Sequence, residues 1–505
     1  SVRRLLPAVL LVSTAAIAYE ILLMRMLSIV QWHHFAYMVI SLALLGYGAS
    51  GTAIALGRNW LAPRFAGAVA ACALLFSITM AGCWALGQQV PFNALEVVWN
   101  PRQLLLLGAM YLLFMVPFFF AAACIGLAFT FRSKTAGRIY LFDLFGAGTG
   151  AVLVIALLFF LPAQHALVLL SLLALCAALI AASGKVLRLS AIAWAALLLA
   201  GLQSGLFDPA PSEFKSLSTS LQTTGSGVVT GRSSPLGLLT VVQSPAVPFR
   251  HAPGLSMATR HTPPEQMAVF RDGDGMSVIN RWSGNEPPPG YLGDMTSALP
   301  YYLLDSPRVL ILGAGAGSDV LQAIRHGASY IDAVELDPNM TGLLREEFAE
   351  FSGGLYAHPR VNLHHGEARG FSARSDQDYD LVQIGLLDSF AVSGSGVQSL
   401  NENYLYTTGA IRDYLRLLNP GGVLAITRWL KLPPRDSFKL VNTVATSLRE
   451  DDVADPGKRL AIIRGWNTVT LVVRNEALSA GDISAVKNFA APRSFDTVYY
   501  PSMPP

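Results

Sequence analysis

The sequence predicts a bundle of apolar helices followed by a doubly wound α/β domain that carries a small β subdomain at its front. Three observations lead there. Residues 1–207 are almost free of charge, holding eleven Arg or Lys against only Glu20, Glu96 and Asp143. The stretch Val309-Leu-Ile-Leu-Gly-Ala-Gly-Ala-Gly-Ser-Asp319 reads as a buried strand, a glycine turn and a helix start. The stretch Asp332-Ala-Val-Glu-Leu-Asp337 reads as a second strand, ending in an acid about 18 residues past the last glycine.

The helical part comes first. An apolar run of about 20 residues crosses the hydrocarbon layer of a bilayer. Seven stretches reach that length, near 5–30, 35–56, 66–87, 104–131, 139–161, 164–182 and 188–207. With 52% hydrophobic and 14% charged residues, the chain lies outside the soluble range. The first 207 residues carry +8 and the remainder −5, within a net charge of +3. That excess base lies between apolar spans rather than along a folded face, which excludes a nucleic-acid-binding stripe. Basic residues recur on alternate connections: Arg3 and Arg4, then Arg58 and Arg64, then Arg132, Lys134 and Arg138, then Lys185 and Arg188. The positive-inside rule puts the N-terminus in the cytoplasm and, after seven spans, the C-terminal half outside. The supply of a small-molecule ligand to the glycine turn argues for the cytoplasmic side, and the two readings stay open.

Glu20, Arg25 and Asp143 fall within spans, where each unpaired charge costs about 2.5 kcal/mol or more. They read either as a structural pair plus a helix-end acid or as a polar site inside the bundle. Pro117 and Gly146-Ala-Gly-Thr-Gly150 mark a kink and a close helix contact. The four cysteines, Cys72, Cys83, Cys124 and Cys176, all lie in this half without metal-site spacing and read as packing residues. The basic opening Ser1-Val-Arg-Arg-Leu leads into a long apolar run with no clear cleavage site, as expected of a retained helix.

Residues 208–235 read as a polar linker and 236–300 as the β subdomain, with strands at 236–243 and 267–271 and a turn at Asp272-Gly-Asp-Gly275. Over 301–505, strands at 309–312, 331–335, 361–364, 380–384 and 422–427 alternate with helices at 317–326, 338–351 and 408–418. Such alternation predicts a parallel sheet with ligands at the carboxyl ends of its strands. Glycines let the backbone approach a ligand, and a carboxylate at the second strand end can accept both ribose hydroxyls, so nucleoside binding is expected here. His33 and His34 beside Trp32 read as interfacial anchors. His364 and His365 lack metal-site spacing, and no metal is expected. Trp429 and Trp466 are candidate pocket walls or core rings.

Four stretches together resemble the spermidine synthase family of polyamine aminopropyltransferases. They are Ser234-Pro-Leu-Gly-Leu-Leu-Thr-Val, the glycine turn, Val334-Glu-Leu-Asp, and Asn403-Tyr-Leu-Tyr-Thr leading to Leu418-Asn-Pro-Gly-Gly-Val. The likeness runs over about 236–475, and the whole chain resembles the bacterial variety fused to a multi-span membrane domain. It implies a Rossmann-like fold of the class I methyltransferase type, a homodimer, a bacterial inner-membrane location and a small cationic substrate such as putrescine. It also implies a donor of the S-adenosylmethionine type, usually decarboxylated, with release of methylthioadenosine. By the same resemblance Gly313, Gly315 and Gly317 form the donor turn and Glu335 holds the ribose. Glu367, followed by Ala368, stands where the family usually has an Asp near the adenine amine.

Two positions depart from the family pattern. Ala316 replaces an acid that usually meets the donor's amine. In Tyr379-Asp-Leu-Val-Gln-Ile-Gly-Leu-Leu-Asp388, Gly385 replaces the acid that normally takes the acceptor's proton. A polyamine is protonated near neutral pH, so a carboxylate must bind it and accept a proton. Asp388, Asp294 and Tyr404 are the candidates for that task. Their plain alternatives are a helix cap, a loop acid and a packing ring. The missing acid also opens an intramolecular cyclisation or lyase reaction that needs no acceptor. Methyl transfer and nucleoside-regulated transport by the bundle are further alternatives.

Overall fold

The computed structural model describes residues 2–31, 38–181, 184–387 and 404–503. The chain divides into two compact units, one built mainly from residues up to Ser218 and the other mainly from Thr219 onward. His33, His34 and Trp32 lie outside the described residues.

The first unit contains α1 (Val2–Val30), α2 (Met38–Leu56), α3 (Phe65–Gly87), α4 (Pro101–Phe131), α5 (Ala136–Phe160), α6 (Ala163–Ala181) and α7 (Lys185–Gln203). Among the described residues, seven helices are long and apolar enough to cross a membrane. Backbone hydrogen bonds within each helix satisfy its polar groups, which is why helices suit an apolar medium. α1 is the hub: Val9, Val12, Ala15, Tyr19, Leu22 and Met26 have no exposed surface. The expected close contact forms between α1 and α5. A side chain at Gly146 would collide with the Leu10 carbonyl, and one at Gly150 with the Thr14 carbonyl. Only a small residue allows the two backbones to approach this closely. Asp143 lies on the same seam, where its Oδ1 accepts a 2.5 Å bond from the Ser13 hydroxyl. Arg25 donates to the Ser28 hydroxyl at 3.1 Å.

The second unit holds two sheets. The smaller has the order β1-β2-β3-β4, with β1 Gly227–Ser234, β2 Gly237–Gln243, β3 Gln266–Arg271 and β4 Asp274–Asn280. β1 falls inside the stretch read as linker. It is an edge strand with only Ser234 buried, so its residues lack the apolar alternation that would announce a strand. The hairpin between β3 and β4 turns on Asp272 (φ 52) and Gly273 (φ 77), the left-handed pair that a two-residue turn requires.

The larger sheet has the order β12-β10-β11-β9-β8-β5-β6-β7. Its parallel strands are β5 (Arg308–Leu312), β6 (Tyr330–Glu335), β7 (Val361–His365), β8 (Tyr379–Ile384) and β9 (Leu418–Trp429). β10 (Leu460–Arg464), β11 (Thr468–Arg474) and β12 (Asp496–Tyr499) extend it antiparallel. Successive side chains on a strand point to opposite faces, so Ile311, Ala333 and Leu381 join one buried cluster while Leu312, Val334 and Ile384 join the other. Both faces are covered, as expected of parallel strands written as unbroken apolar runs.

Helices α8 (Ser318–Arg325), α9 (Pro338–Gly342), α10 (Ala368–Arg374) and α11 (Thr408–Arg416) follow β5, β6, β7 and β8 in turn. The helix expected over 338–351 is shorter. α9 passes at Leu343 into a single π-helical turn ending at Glu347. From β5 the chain moves outward through β6 to β7, then returns to lay β8 on the other side of β5. That reversal opens a crevice at the carboxyl ends of β5 and β8, where a ligand can reach the backbone.

Candidate functional site

β5 ends at Leu312, and the chain turns at once through Gly313 (φ 81), Gly315 (φ 53) and Gly317 (φ 86). At Gly313 a Cβ would overlap the Leu387 side chain, and at Gly317 it would overlap Leu355. Two constraints therefore coincide: left-handed backbone and no room for a side chain. The Gly313 and Ala314 N–H groups donate to the Val334 carbonyl at 2.9 and 3.0 Å, fastening the turn to the neighbouring strand.

Glu335, the last residue of β6, is 7% exposed. Its Oε2 accepts the Gly315 N–H at 2.9 Å and its Oε1 accepts the Asp337 N–H at 2.9 Å. The carboxylate thus bridges the glycine turn and its own strand end, and each oxygen retains acceptor capacity. The Tyr356 hydroxyl holds the far side of the turn by donating to the Gly315 carbonyl at 2.7 Å. Asp337 is fully buried, caps α9 by accepting the Asn339 N–H at 3.0 Å, and pairs with Arg271 at 2.8 Å.

The Gly366 N–H donates to the Glu335 carbonyl at 3.0 Å, which keeps the ends of β6 and β7 side by side. Glu367 follows as an exposed residue that caps α10, accepting the N–H groups of Arg369 and Gly370 at 2.9 and 2.6 Å. Ala368 opens that helix. The structure therefore gathers Gly313, Gly315, Gly317 and Glu335 into one cradle, with Glu367 and Ala368 at the adjoining strand end. Ala316 is buried in the apolar cluster.

Of the other three candidates, Asp294 and Tyr404 make their contacts away from this cradle. Asp294 is engaged by Arg493 at 3.2 Å, the Thr259 hydroxyl at 2.6 Å and His261 Nδ1 at 2.8 Å. Burial alone would raise its pKa, but the bonds from His261 and Thr259 and the charge of Arg493 outweigh it and hold the carboxyl below its ordinary value. Tyr404 is 63% exposed, and its carbonyl accepts the Arg369 guanidinium at 3.4 Å. Asp388 lies outside the described residues. Trp466 is 68% exposed, at a surface rather than in a core.

The structure adds Asp319, in the first turn of α8, which the sequence reading passed over. It is half-buried beside the carboxyl end of β8, and Gln383 donates to its Oδ1 at 3.1 Å. Gln383 in turn accepts from the Tyr301 hydroxyl at 2.5 Å. A Cβ at Gly385 would overlap Oδ2 of Asp319. The only sequence signal for this pairing was the unusual glycine itself. Among the described residues, no group of three or more His, Cys, Asp or Glu is placed to hold a metal ion.

Comparison with known proteins fits this geometry. The spermine/spermidine synthase domain matches residues 295–429, a window that holds the glycine turn, Glu335, Glu367 and Gly385. A polyamine aminopropyltransferase of Nitrosomonas europaea is 25% identical over 175 residues, covering 34% of this chain and 51% of that protein. One of Korarchaeum cryptofilum is 28% identical over 122 residues, covering 24% of this chain and 35% of that protein. The chain thus spans about half, or less, of the length of these curated relatives. Among solved structures, the spermidine synthase of Thermotoga maritima aligns at 15% identity with a TM-score of 0.34, covering 50% of this chain and 75% of that one. Residues 295–429 match the spermine/spermidine synthase domain, and over that stretch the chain is similar to polyamine aminopropyltransferases.

Proposed function

We propose that the second unit is a transferase acting on S-adenosylmethionine or its decarboxylated form, with attack at the propyl carbon next to sulfur and release of 5′-methylthioadenosine. The acceptor in this reading is a polyamine such as putrescine. The observation that carries it is the Glu335 carboxylate, held against the glycine turn inside a domain that matches aminopropyltransferases. Its remaining lone pairs suit the two hydroxyls of a ribose. The amine nitrogen forms the new C–N bond, the C–S bond breaks, and its electron pair returns to sulfur as a neutral thioether. Because the acceptor amine is protonated near neutral pH, it must give up one proton as it attacks, so that its nitrogen has a lone pair for the new bond.

A second reading is intramolecular cyclisation or elimination of the donor. It is favoured by Ala316 and Gly385 standing where the family pattern has acids, and close contact within one molecule would supply much of the acceleration. Incubating the purified chain with each donor separates the readings. Methylthioadenosine formed only with putrescine supports transfer, and methylthioadenosine formed without any amine supports cyclisation. Adenosylhomocysteine would indicate methyl transfer, and intact donor in every arm removes the enzymatic proposal.

We further propose that α1 to α7 span the bacterial inner membrane and that the protein works as a homodimer. Length and composition of the seven helices support the first, and the family resemblance supports the second. The alternation of basic connections favours the second unit outside the cytoplasm, whereas donor supply favours the inside. Protease digestion of right-side-out and inverted vesicles distinguishes these, since only the exposed unit is cut.

A further inference from the structure

We propose that Asp319 is the carboxylate that binds the ammonium group of the attacking amine and receives its proton, standing in the space that Gly385 leaves open. The proposal rests on the transferase reading above and extends it to the acceptor.

Position comes first. Gly385 follows the last residue of β8 and Gly313 follows the last residue of β5, so both lie at the crevice where the strand order reverses. A side chain at Gly385 would emerge where Oδ2 of Asp319 already lies. The glycine therefore does more than end a strand: it admits a carboxylate that arrives from α8. The Gln383 amide orients that carboxylate through Oδ1 at 3.1 Å, while Gln383 is itself fixed by Tyr301 and by Gln322 Oε1 at 3.2 Å.

Charge is the second point. The titratable groups that feel the charge of Asp319 are Tyr291, Tyr301 and Tyr356, and none of them carries positive charge. Among the described residues Asp319 has no ion-pair partner, and residues 388–403, which follow β8, contain no Lys, Arg or His. A half-buried anion surrounded by neutral phenols and one neutral amide is costly unless a cation joins it. Burial pushes its carboxyl up to about 6, against the pull of the Gln383 bond. A group poised there is ionised near neutral pH yet basic enough to accept a proton. Asp294 and Glu367, by contrast, already have their partners.

In the balanced step, the ammonium binds against Asp319 and gives up one proton as its nitrogen forms the C–N bond to the propyl carbon. The C–S electron pair returns to sulfur, and the protonated Asp319 later releases its proton to water.

The test uses full-length protein in detergent, with decarboxylated S-adenosylmethionine and putrescine. Asp319→Asn is expected to lower the amine-dependent rate by about 10²–10⁴-fold while donor affinity, read by calorimetry, is unchanged. It should also raise the KM for putrescine and abolish a rise in kcat/KM with pH through about 6. Gly385→Ala, which leaves Asp319 in the sequence but crowds its oxygen, should lose activity too. Asp319→Ala combined with Gly385→Asp, which returns a carboxylate to the same space from the other strand, should recover part of the rate. Equal putrescine dependence in wild type and Asp319→Asn would overturn the proposal, and so would a loss confined to donor affinity. If the wild type releases no methylthioadenosine with any amine, the transferase reading fails. Asp319 is then judged by putrescine binding alone: binding lost in Asp319→Asn supports the site, and no binding by the wild type overturns it.

Discussion

Replacing Glu335 by Gln tests whether the nucleoside cradle is preformed. The carboxylate accepts two backbone N–H groups, from Gly315 and Asp337, both at 2.9 Å and in a nearly buried position. A carboxamide keeps one acceptor and turns an NH2 group toward the other N–H. One charge-assisted bond is lost, worth about 1.5–3 kcal/mol, and a buried donor is stranded at a cost of about 1–3 kcal/mol. Even about 3 kcal/mol makes local opening of the turn roughly 100-fold more frequent. The assay is amide hydrogen exchange on the full-length chain, comparing peptides that cover 313–317 and 335–339 with the β10–β11 hairpin as internal control. Protection should fall in the first two and hold in the third, and nucleoside affinity should fall with it. Unchanged protection across the glycine turn, with unchanged affinity, would refute the idea that Glu335 organises the cradle.

Three further outcomes follow from the same geometry. Gly317→Ala forces a side chain into left-handed backbone at φ 86 and against Leu355, so the second unit should lose about 1–2 kcal/mol from backbone strain alone. A melting curve identical to wild type would contradict this. Gly150→Leu should destabilise the purified chain in detergent, because the new side chain meets the Thr14 carbonyl, whereas Gly148→Leu on the same helix enters open space and should be tolerated. Equal behaviour of the two variants in thermal unfolding would count against a close α1–α5 seam. His326, stacked on Tyr301 at 5.0 Å, has its pKa lowered to about 4 by burial and by the nearby charges of Arg325 and Arg493. The unfolded chain takes up this proton near pH 6.5 and the folded one only near 4, so the contribution is full above 6.5 and is lost as pH falls toward 4. His326→Gln should flatten the melting temperature over that window, and an unaltered pH slope would show that another group is responsible.

Much of the architecture was legible because it depends on local pattern. Strand β5 and its glycine turn, and the acid closing β6, are written as an apolar run, three alternating glycines and a carboxylate at a set distance. Each of those marks has a local physical cause. The apolar helices were equally visible, since a span of that length needs only composition to be recognised. A close helix contact at Gly146 and Gly150 could be anticipated as well, because small residues one turn apart have few other uses in such a helix, although only folding made α1 the partner.

What the sequence could not show was which acid faces which space. Asp294 and Asp319 look alike in one dimension, each an acid in a short polar stretch. Folding gives Asp294 three partners, one of them Arg493 from nearly two hundred positions away, and leaves Asp319 with one neutral amide. β1 was hidden for a related reason: an edge strand with a single buried residue carries no alternation, and only its neighbour β2 defines it. The glycine turn, the apolar spans and the strand-end carboxylate are properties of contiguous residues, so the order of amino acids determined them. The meeting of Asp319 with Gly385 joins a helix start to the end of a strand more than sixty residues later, and only the parallel pairing of β5 with β8 could decide it.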